Sequence, residues 1–324
     1  MLEILIWILI FIAALFVLVK GADYVVENAE RIGVSWNLSP FLIGVTIVGI
    51  GTSLPELVTA IVAMAKDAGE IVVANAVGSN IANILVVLGV AAIITRNLHF
   101  DKSLIYLDIP ILLTATLLFL GTAIGREMLP SGASTFAVNF GESIFLISAY
   151  IAYLIYSFSH NNDYAERLAQ KIRTPHVNIY NYILFAVGVL GVIIGAKYAV
   201  DAVLNLSALF GIGVGIITIL AVALGTSLPE LFVSVRAARI GKPEIAVGNI
   251  FGSNMFNMLA LVGIPGLFGT LIIDESTYYI GLPTLLVATL IFLISGITNK
   301  VHRWDGIMYL FVYALFAFKI TGIF

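Results

Sequence analysis

The sequence predicts an all-α membrane protein: ten transmembrane helices in two inverted five-helix repeats, with both termini outside. Three observations carry this. Of 324 residues, 60% are hydrophobic and only 11% charged, against roughly 25% charged in soluble domains, so the chain cannot cover a water-facing surface of ordinary polarity. Ten mainly apolar runs recur, each close to the ~20 residues that cross hydrocarbon as a helix. The chain also matches itself at an offset of 174 residues. No segment shows the period-two alternation of a membrane barrel.

Composition narrows the chemistry. With no cysteine, disulfides, thiolate metal sites and thiol catalysis are excluded. A net charge of −3 leaves no basic footprint for nucleic acid. His99, His160, His176 and His302 lie in short polar stretches between apolar runs, away from any buried catalytic or metal role. An enzyme is not expected, and no cofactor or protein partner is implied.

The runs fall at about 3–28, 39–64, 70–95, 103–124, 138–158, 180–204, 211–236, 244–269, 278–298 and 305–322. The first carries Glu3 and no leading cation, and no A-x-A-like site follows it, so it reads as a span and not as a cleaved signal. Cations set the direction. Segments after spans 1, 3, 5, 7 and 9, counted with the adjoining helix ends, hold twelve: Lys20, Arg31, Arg96, Lys102, Arg167, Lys171, Arg173, Arg236, Arg239, Lys242, Lys300 and Arg303. The opposite side holds three, Lys66, Arg126 and Lys319, while Lys197 lies within span 6. The positive-inside rule therefore puts both termini outside and the longest loop in the cytoplasm. The expected organisation is a first repeat over 1–158, a short loop over 159–179 and a second repeat over 180–324.

The duplication is specific. Gly51–Leu85 and Gly225–Leu259 align without gaps and are identical at 17 of 35 positions. Gly21, Ala22 and Tyr24 pair with Gly195, Ala196 and Tyr198 at the same offset, drawing spans 1 and 6 into the repeat. Five spans per copy is odd, so the second copy inserts upside down. Inverted repeats with a midplane site between them are the architecture of secondary transporters. A duplication kept for packing alone would not require the matched residues to be polar.

Polar and helix-breaking residues are the ones that match. Glu56 and Glu230 lie mid-span, where a charge costs about 2.5–3.5 kcal/mol or more. Pro55 and Pro229 lack an amide hydrogen and should free the carbonyls of Gly51 and Gly225 and loosen those of Thr52 and Thr226. Helical spacing puts Thr52, Ser53 and Glu56 on one face, and Ser79 with Asn83 on another. The second copy repeats this with Thr226, Ser227, Glu230, Ser253 and Asn257. Together these are hard oxygen ligands, suited to Ca2+ and Na+ and not to zinc or copper; Mg2+ fits less well because it dehydrates reluctantly. Any single Ser or Asn could instead hydrogen-bond a neighbouring helix, and for Asn80 and Asn254 both readings stay open.

Paired GTSLPE (51–56, 225–230) with paired GSNxxN (78–83, 252–257) resembles the two α-repeats of the cation/Ca2+ exchanger superfamily, specifically the prokaryotic Na+/Ca2+ exchangers. The resemblance covers the whole ten-span layout. It implies Ca2+ held by Glu56, Glu230 and the backbone of Thr52 and Thr226. It implies Na+ sites sharing both glutamates with Ser53, Ser227, Ser79 and Ser253 and the carbonyls of Gly49 and Ala223; Asn83 and Asn257 join that oxygen set. It also implies that spans 1 and 6 slide across an eight-helix core, and that each chain works alone in the cell membrane. Some relatives carry Asp where this chain has Asn257, so K+ co-transport is not expected and the site keeps two carboxylates. These balance one Ca2+; a third Na+ would leave one net positive charge and make exchange electrogenic.

The leading expectation is a Na+-driven Ca2+ antiporter in a lipid bilayer. A proton-coupled Ca2+ antiporter is the nearest alternative, although it would leave the serine and carbonyl ligands idle. A passive cation channel usually needs rings of ligands about an oligomer axis, and none is apparent. A hydrolase built on Ser53 has no base within the spans but Glu56. Elsewhere, Lys197 and Asp201 are spaced to neutralise each other, Asp108 has no obvious partner, and Glu70 and Glu244 read as helix-start anions. The stretch 159–176 is too short for a large Ca2+-sensing domain.

Overall fold

The computed structural model describes residues 2–65, 68–99, 108–128, 134–160, 177–209, 225–298 and 300–320. The chain is mostly helical. In order, the helices are α1 (Leu2–Ser35), α2 (Pro40–Thr52), α3 (Leu54–Ala65), α4 (Glu70–Thr95), α5 (Asp108–Ala123) and α6 (Phe140–His160). They continue with α7 (Ile179–Leu209), α8 (Leu228–Arg239), α9 (Pro243–Gly266), α10 (Thr277–Ile297) and α11 (Arg303–Ile320). Six of these, α1, α4, α6, α7, α9 and α10, are long and apolar enough to cross a membrane. The pair α2–α3, bent by 41° at Ser53, adds a seventh if it is one span.

Burial sorts the helices into layers. The apolar stretch of α9 is wholly buried and that of α4 is 78% buried, whereas those of α1 and α6 are 17% buried. So α4 and α9, which carry the GSNxxN motifs, form the centre, and α1 and α6 turn apolar side chains such as Phe16 and Ile155 outward. Lipid in place of water reverses no packing rule; it removes the penalty for an apolar outer face.

Glycines set the closest helix contacts. A Cβ on Gly188 would lie 2.9 Å from the Gly21 carbonyl oxygen, and one on Gly195 would lie 3.0 Å from the Ala14 carbonyl oxygen. Bare backbones thus let α1 and α7 interlock along their length. At one end the Asn181 amide donates to Asn28 Oδ1 at 3.0 Å, and the Asn28 amide donates to the Tyr24 carbonyl at 2.9 Å. Both asparagines are buried. Asn181→Ala leaves Asn28 without its donor and is expected to lower stability by about 1–3 kcal/mol, read as a fall in thermal midpoint in detergent.

Helix α1 runs to Ser35, beyond the expected end near residue 28. Its last turns stay helical because their acids find partners: Asp23 meets Arg236 at 2.6 Å, Glu27 meets it at 4.0 Å, and Glu30 pairs with Lys242. Lys20, inside the expected first span, lies on the same helix and pairs with Asp23 at 3.5 Å. The expected Lys197–Asp201 ion pair is not among the ion pairs of the described residues. Lys197 instead holds its ammonium 5.8 Å from the Tyr198 ring centroid, and Asp201 accepts through its backbone carbonyl from Asn205 at 2.7 Å. Both side chains face outward or half outward, where a long lysine stem can reach the interface. Asp108, which the sequence left without a partner, acts electrostatically on Tyr153 and Tyr156. Glu70 and Glu244 do open α4 and α9.

Two short antiparallel ribbons were not foreseen. One pairs β1 (Asn97–His99) with β5 (Lys300–His302). The other orders β2 (Arg126–Met128), β3 (Ser134–Val138) and β4 (Leu271–Ile273). Segments between helix ends must satisfy their own amides and carbonyls, and strands of three to five residues are too short to leave a periodic signature.

Candidate ion-binding site

The two GTSLPE motifs fold alike. In each, the helix breaks at the serine, Ser53 at φ −90°, ψ 5° and Ser227 at φ −90°, ψ 4°. A new helix then starts at Leu54 or Leu228, with Pro55 or Pro229 in its first turn, where a missing amide hydrogen costs nothing. The prolines therefore sit in the first turn of the helix that follows each break. Across the first break run Ser53 N–H to the Gly49 carbonyl at 3.1 Å and Leu57 N–H to the Ser53 carbonyl at 3.3 Å; neither bond uses the carbonyl of Gly51 or Thr52. Glu56 and Glu230 consequently occupy first turns, where the helix dipole favours an anion.

The second motif also carries a local distortion in both copies. A π-helical turn over Asn83–Val87 interrupts α4, and one over Phe256–Leu261 interrupts α9. Such turns re-aim side chains and occur often at functional positions. They bring Asn83 and Asn257 inside with no exposed surface, and none of their side-chain amide atoms has a hydrogen-bond partner among the described residues.

These elements converge. Glu56 is 1% exposed and Glu230 0%, and the two carboxyls interact electrostatically. Ser53 donates to Glu230 Oε1 at 3.1 Å, with the Ser253 hydroxyl 3.5 Å from the same oxygen and 3.3 Å from the Gly49 carbonyl. Thr52 also faces Glu230. Ser79 and the Thr226 hydroxyl lie 3.2 Å apart. Among the described residues Glu56 takes no hydrogen bond from any other residue, and Glu230 Oε2 and Ser227 Oγ lack partners as well. Glu56, Glu230, Thr52, Ser53, Ser227, Ser79, Ser253, Asn83, Asn257 and Gly49 are all buried in this region, with Thr226 half-buried at its edge. Ala223 lies outside the described residues.

Buried carboxylates without a cationic partner are costly. Among the described residues no lysine or arginine pairs with Glu56 or Glu230, and no group of three His, Asp or Glu side chains stands ready for a metal. What the site offers is two carboxylates amid hydroxyl, amide and carbonyl oxygens, a set suited to a hard cation and able to replace part of its hydration shell. Asn80 donates to the Asn254 carbonyl at 3.1 Å, across the two copies.

One residue escaped the sequence reading. Asn249, wholly buried, accepts from the Thr52 hydroxyl at 3.1 Å and donates to Ser234 Oγ at 2.9 Å and the Glu230 carbonyl at 3.4 Å. Its signal was available: the self-alignment pairs it with Asn75, an identical residue one turn before the GSNxxN serine.

The family model for the sodium/calcium exchanger protein matches residues 6–159 and 180–322. The chain is 33% identical to sodium/calcium exchanger MaX1 of Methanosarcina acetivorans, over 95% of its length and 96% of that relative. It is 31% identical to the uncharacterized membrane protein MJ0091 of Methanocaldococcus jannaschii, covering 94% and 95%. A solved structure of the sodium-calcium exchanger NCX_Mj, soaked in 10 mM Na+ without Ca2+, superposes with a TM-score of 0.78 at 28% identity, covering 96% of this chain and 98% of that one.

Proposed function

Because the chain belongs to the sodium/calcium exchanger protein family, and is a multi-pass protein of the cell membrane, we propose that it exchanges Na+ for Ca2+ by alternating access, without K+. The named exchangers among its relatives are transporters, not enzymes. One observation carries the reading for this chain. Two buried carboxylates, one from each copy of a repeated motif, interact with each other and with facing hydroxyls but with no cationic side chain of the described residues. Such a site is stable only when bound cations or protons neutralise it.

In this proposal Glu56 and Glu230 balance one Ca2+, with Thr52 and Thr226 adding backbone oxygens. The Na+-loaded state uses the same carboxylates with Ser53, Ser79, Ser227, Ser253, Asn83, Asn257 and the carbonyls of Gly49 and Ala223. Sharing the carboxylates makes the two loads mutually exclusive, which couples them. The ten-span layout divides into repeats over 1–158 and 180–324, with both termini outside. Pairing of β1 with β5, and of β2–β3 with β4, supports it: each ribbon joins segments that this topology puts on one side. Helices α1 and α7, interlocked through Gly21, Gly188 and Gly195, form the unit that slides against the remaining helices.

The direct test is 45Ca2+ uptake into proteoliposomes against an opposing Na+ gradient with pH clamped. Uptake that follows the Na+ gradient supports the reading; uptake that follows only a proton gradient transfers the mechanism to the proton-coupled alternative. Voltage gives a further prediction. With three Na+ per Ca2+, one charge moves per cycle, and 100 mV contributes about 2.3 kcal/mol, shifting the equilibrium Ca2+ gradient about fifty-fold. Clamping voltage with valinomycin checks this, and a Ca2+ gradient indifferent to potential excludes it.

A further inference from the structure

The two inverted copies use matched residues unequally. The Thr52 hydroxyl donates to Asn249 Oδ1 at 3.1 Å, and the Asn249 amide donates onward to Ser234 and the Glu230 carbonyl. At the repeat offset the mates of Thr52 and Asn249 are Thr226 and Asn75. That pair is not made: Thr226 lies against Ser79 at 3.2 Å, and the Asn75 Nδ2 atom is buried without a hydrogen-bond partner among the described residues. Ser253, the mate of Ser79, turns to Gly49 and Glu230 and not to Thr52. Each threonine thus has one Asn and one Ser among its candidate partners on the opposite copy, and between these the two threonines have made opposite choices.

Inverted repeats switch access when the two halves exchange conformations about a fixed site. Exchange here requires no new residue: Thr52 moves from Asn249 to Ser253, and Thr226 from Ser79 to Asn75. We propose that Asn249 and Asn75 are alternating braces, Asn249 holding Thr52 in the conformation described and Asn75 holding Thr226 in the oppositely open one. Both are positioning residues, acting on the ion site through the motif threonines. The inference rests on the alternating-access reading above. The copies also differ: Ser234 corresponds to Ala60, so the Asn75 amide has one hydrogen-bond acceptor fewer in its braced state. The Asn249-braced conformation is therefore the favoured one when no ion is bound.

The chain has no cysteine, so Phe16→Cys on α1 and Ile294→Cys on α10, both at outward-facing positions, take spin labels there alone. Double electron–electron resonance in nanodiscs, in choline buffer with Na+ or Ca2+ added separately, reports the populations of the two separations. Asn249→Ala is expected to shift the ion-free population about three- to tenfold toward the second separation, the effect of one or two net hydrogen bonds. Asn75→Ala shifts it the other way, and the combined variant returns close to wild type, which structural damage would not do. Ser234→Ala, which makes the copies alike at this position, moves in the direction of Asn249→Ala by a smaller factor and stands in for it if that variant does not fold. Shifts in the same direction, or none, overturn the braces alone. A wild-type protein with one separation under every ion condition overturns alternating access itself, and the braces with it.

Discussion

Replacing either motif glutamate by glutamine, Glu56→Gln or Glu230→Gln, is expected to abolish Na+-driven 45Ca2+ uptake while leaving the protein folded. Glutamine keeps the size and one acceptor oxygen but removes a charge from a site that has only two. A dehydrated divalent ion would then carry one uncompensated positive charge in a buried pocket, and breaking a buried charge pair costs about 3–5 kcal/mol, a loss of roughly 10²–10³ or more in affinity. The same change should raise the thermal midpoint in ion-free buffer, because Glu56 and Glu230 lie close enough for their charges to interact while no described cationic side chain pairs with either. Ca2+ stabilises the wild type through binding to the folded state; that increment should vanish in either variant. A glutamine variant whose midpoint still rises with Ca2+ would remove these carboxylates from the ion site.

The second large effect belongs to the backbone contact that closes the site from behind. A Cβ on Gly252 would collide with the Val45 carbonyl oxygen, one on Gly248 with the Phe41 carbonyl oxygen, and one on Gly44 with the Ile245 carbonyl oxygen. Helices α2 and α9 therefore touch backbone to backbone, and Ser253 reaches the Gly49 carbonyl only because they do. Gly252→Val must push the helices apart, since the atoms struck are main chain and cannot rotate away. We expect destabilisation of more than about 3 kcal/mol, seen as loss of the monodisperse detergent-solubilised peak. Gly252→Ala should err in the same direction and less. Gly121→Ala on α5, where a Cβ meets nothing within 4 Å, should leave the thermal midpoint unchanged or slightly raised, as alanine favours helix over glycine. Equal tolerance at Gly252 and Gly121 would show that the α2–α9 contact is not tight.

Glu56, Glu230 and Gly252 all belong to motifs repeated in the sequence, but what each touches is set by the fold. The repeat of GTSLPE and GSNxxN, conspicuous because polar residues interrupt apolar runs, identified the buried glutamates and serines before any coordinates. It also contained Asn249 and Asn75, which passed unremarked because a single amide beside a stronger motif has no spacing rule of its own. The helix-breaking prolines mark the interruption in the sequence, but that one helix ends and another begins at the preceding serine, Ser53 or Ser227, is set by the backbone. The extension of α1 to Ser35 depends on Arg236 and Lys242, residues far along the chain that stabilise its acidic last turns. The Lys197–Asp201 spacing promised an ion pair that was not made, because at the edge of an apolar helix a long side chain gains more by reaching polar surroundings.

Composition and periodicity alone determined that this chain lives in a bilayer as helices, and its internal echo singled out the polar residues that the fold buries together. Those are properties of local pattern and of solvent, readable one helix at a time. Only the tertiary structure decided which hydroxyl faces which carboxylate, where π-helical turns re-aim Asn83 and Asn257, and that one asparagine of a matched pair is engaged while its mate waits. Contacts between copies depend on how closely bare backbones approach and on which of two symmetric choices each side chain takes. Neither quantity is written in a one-dimensional repeat, whose two halves look alike.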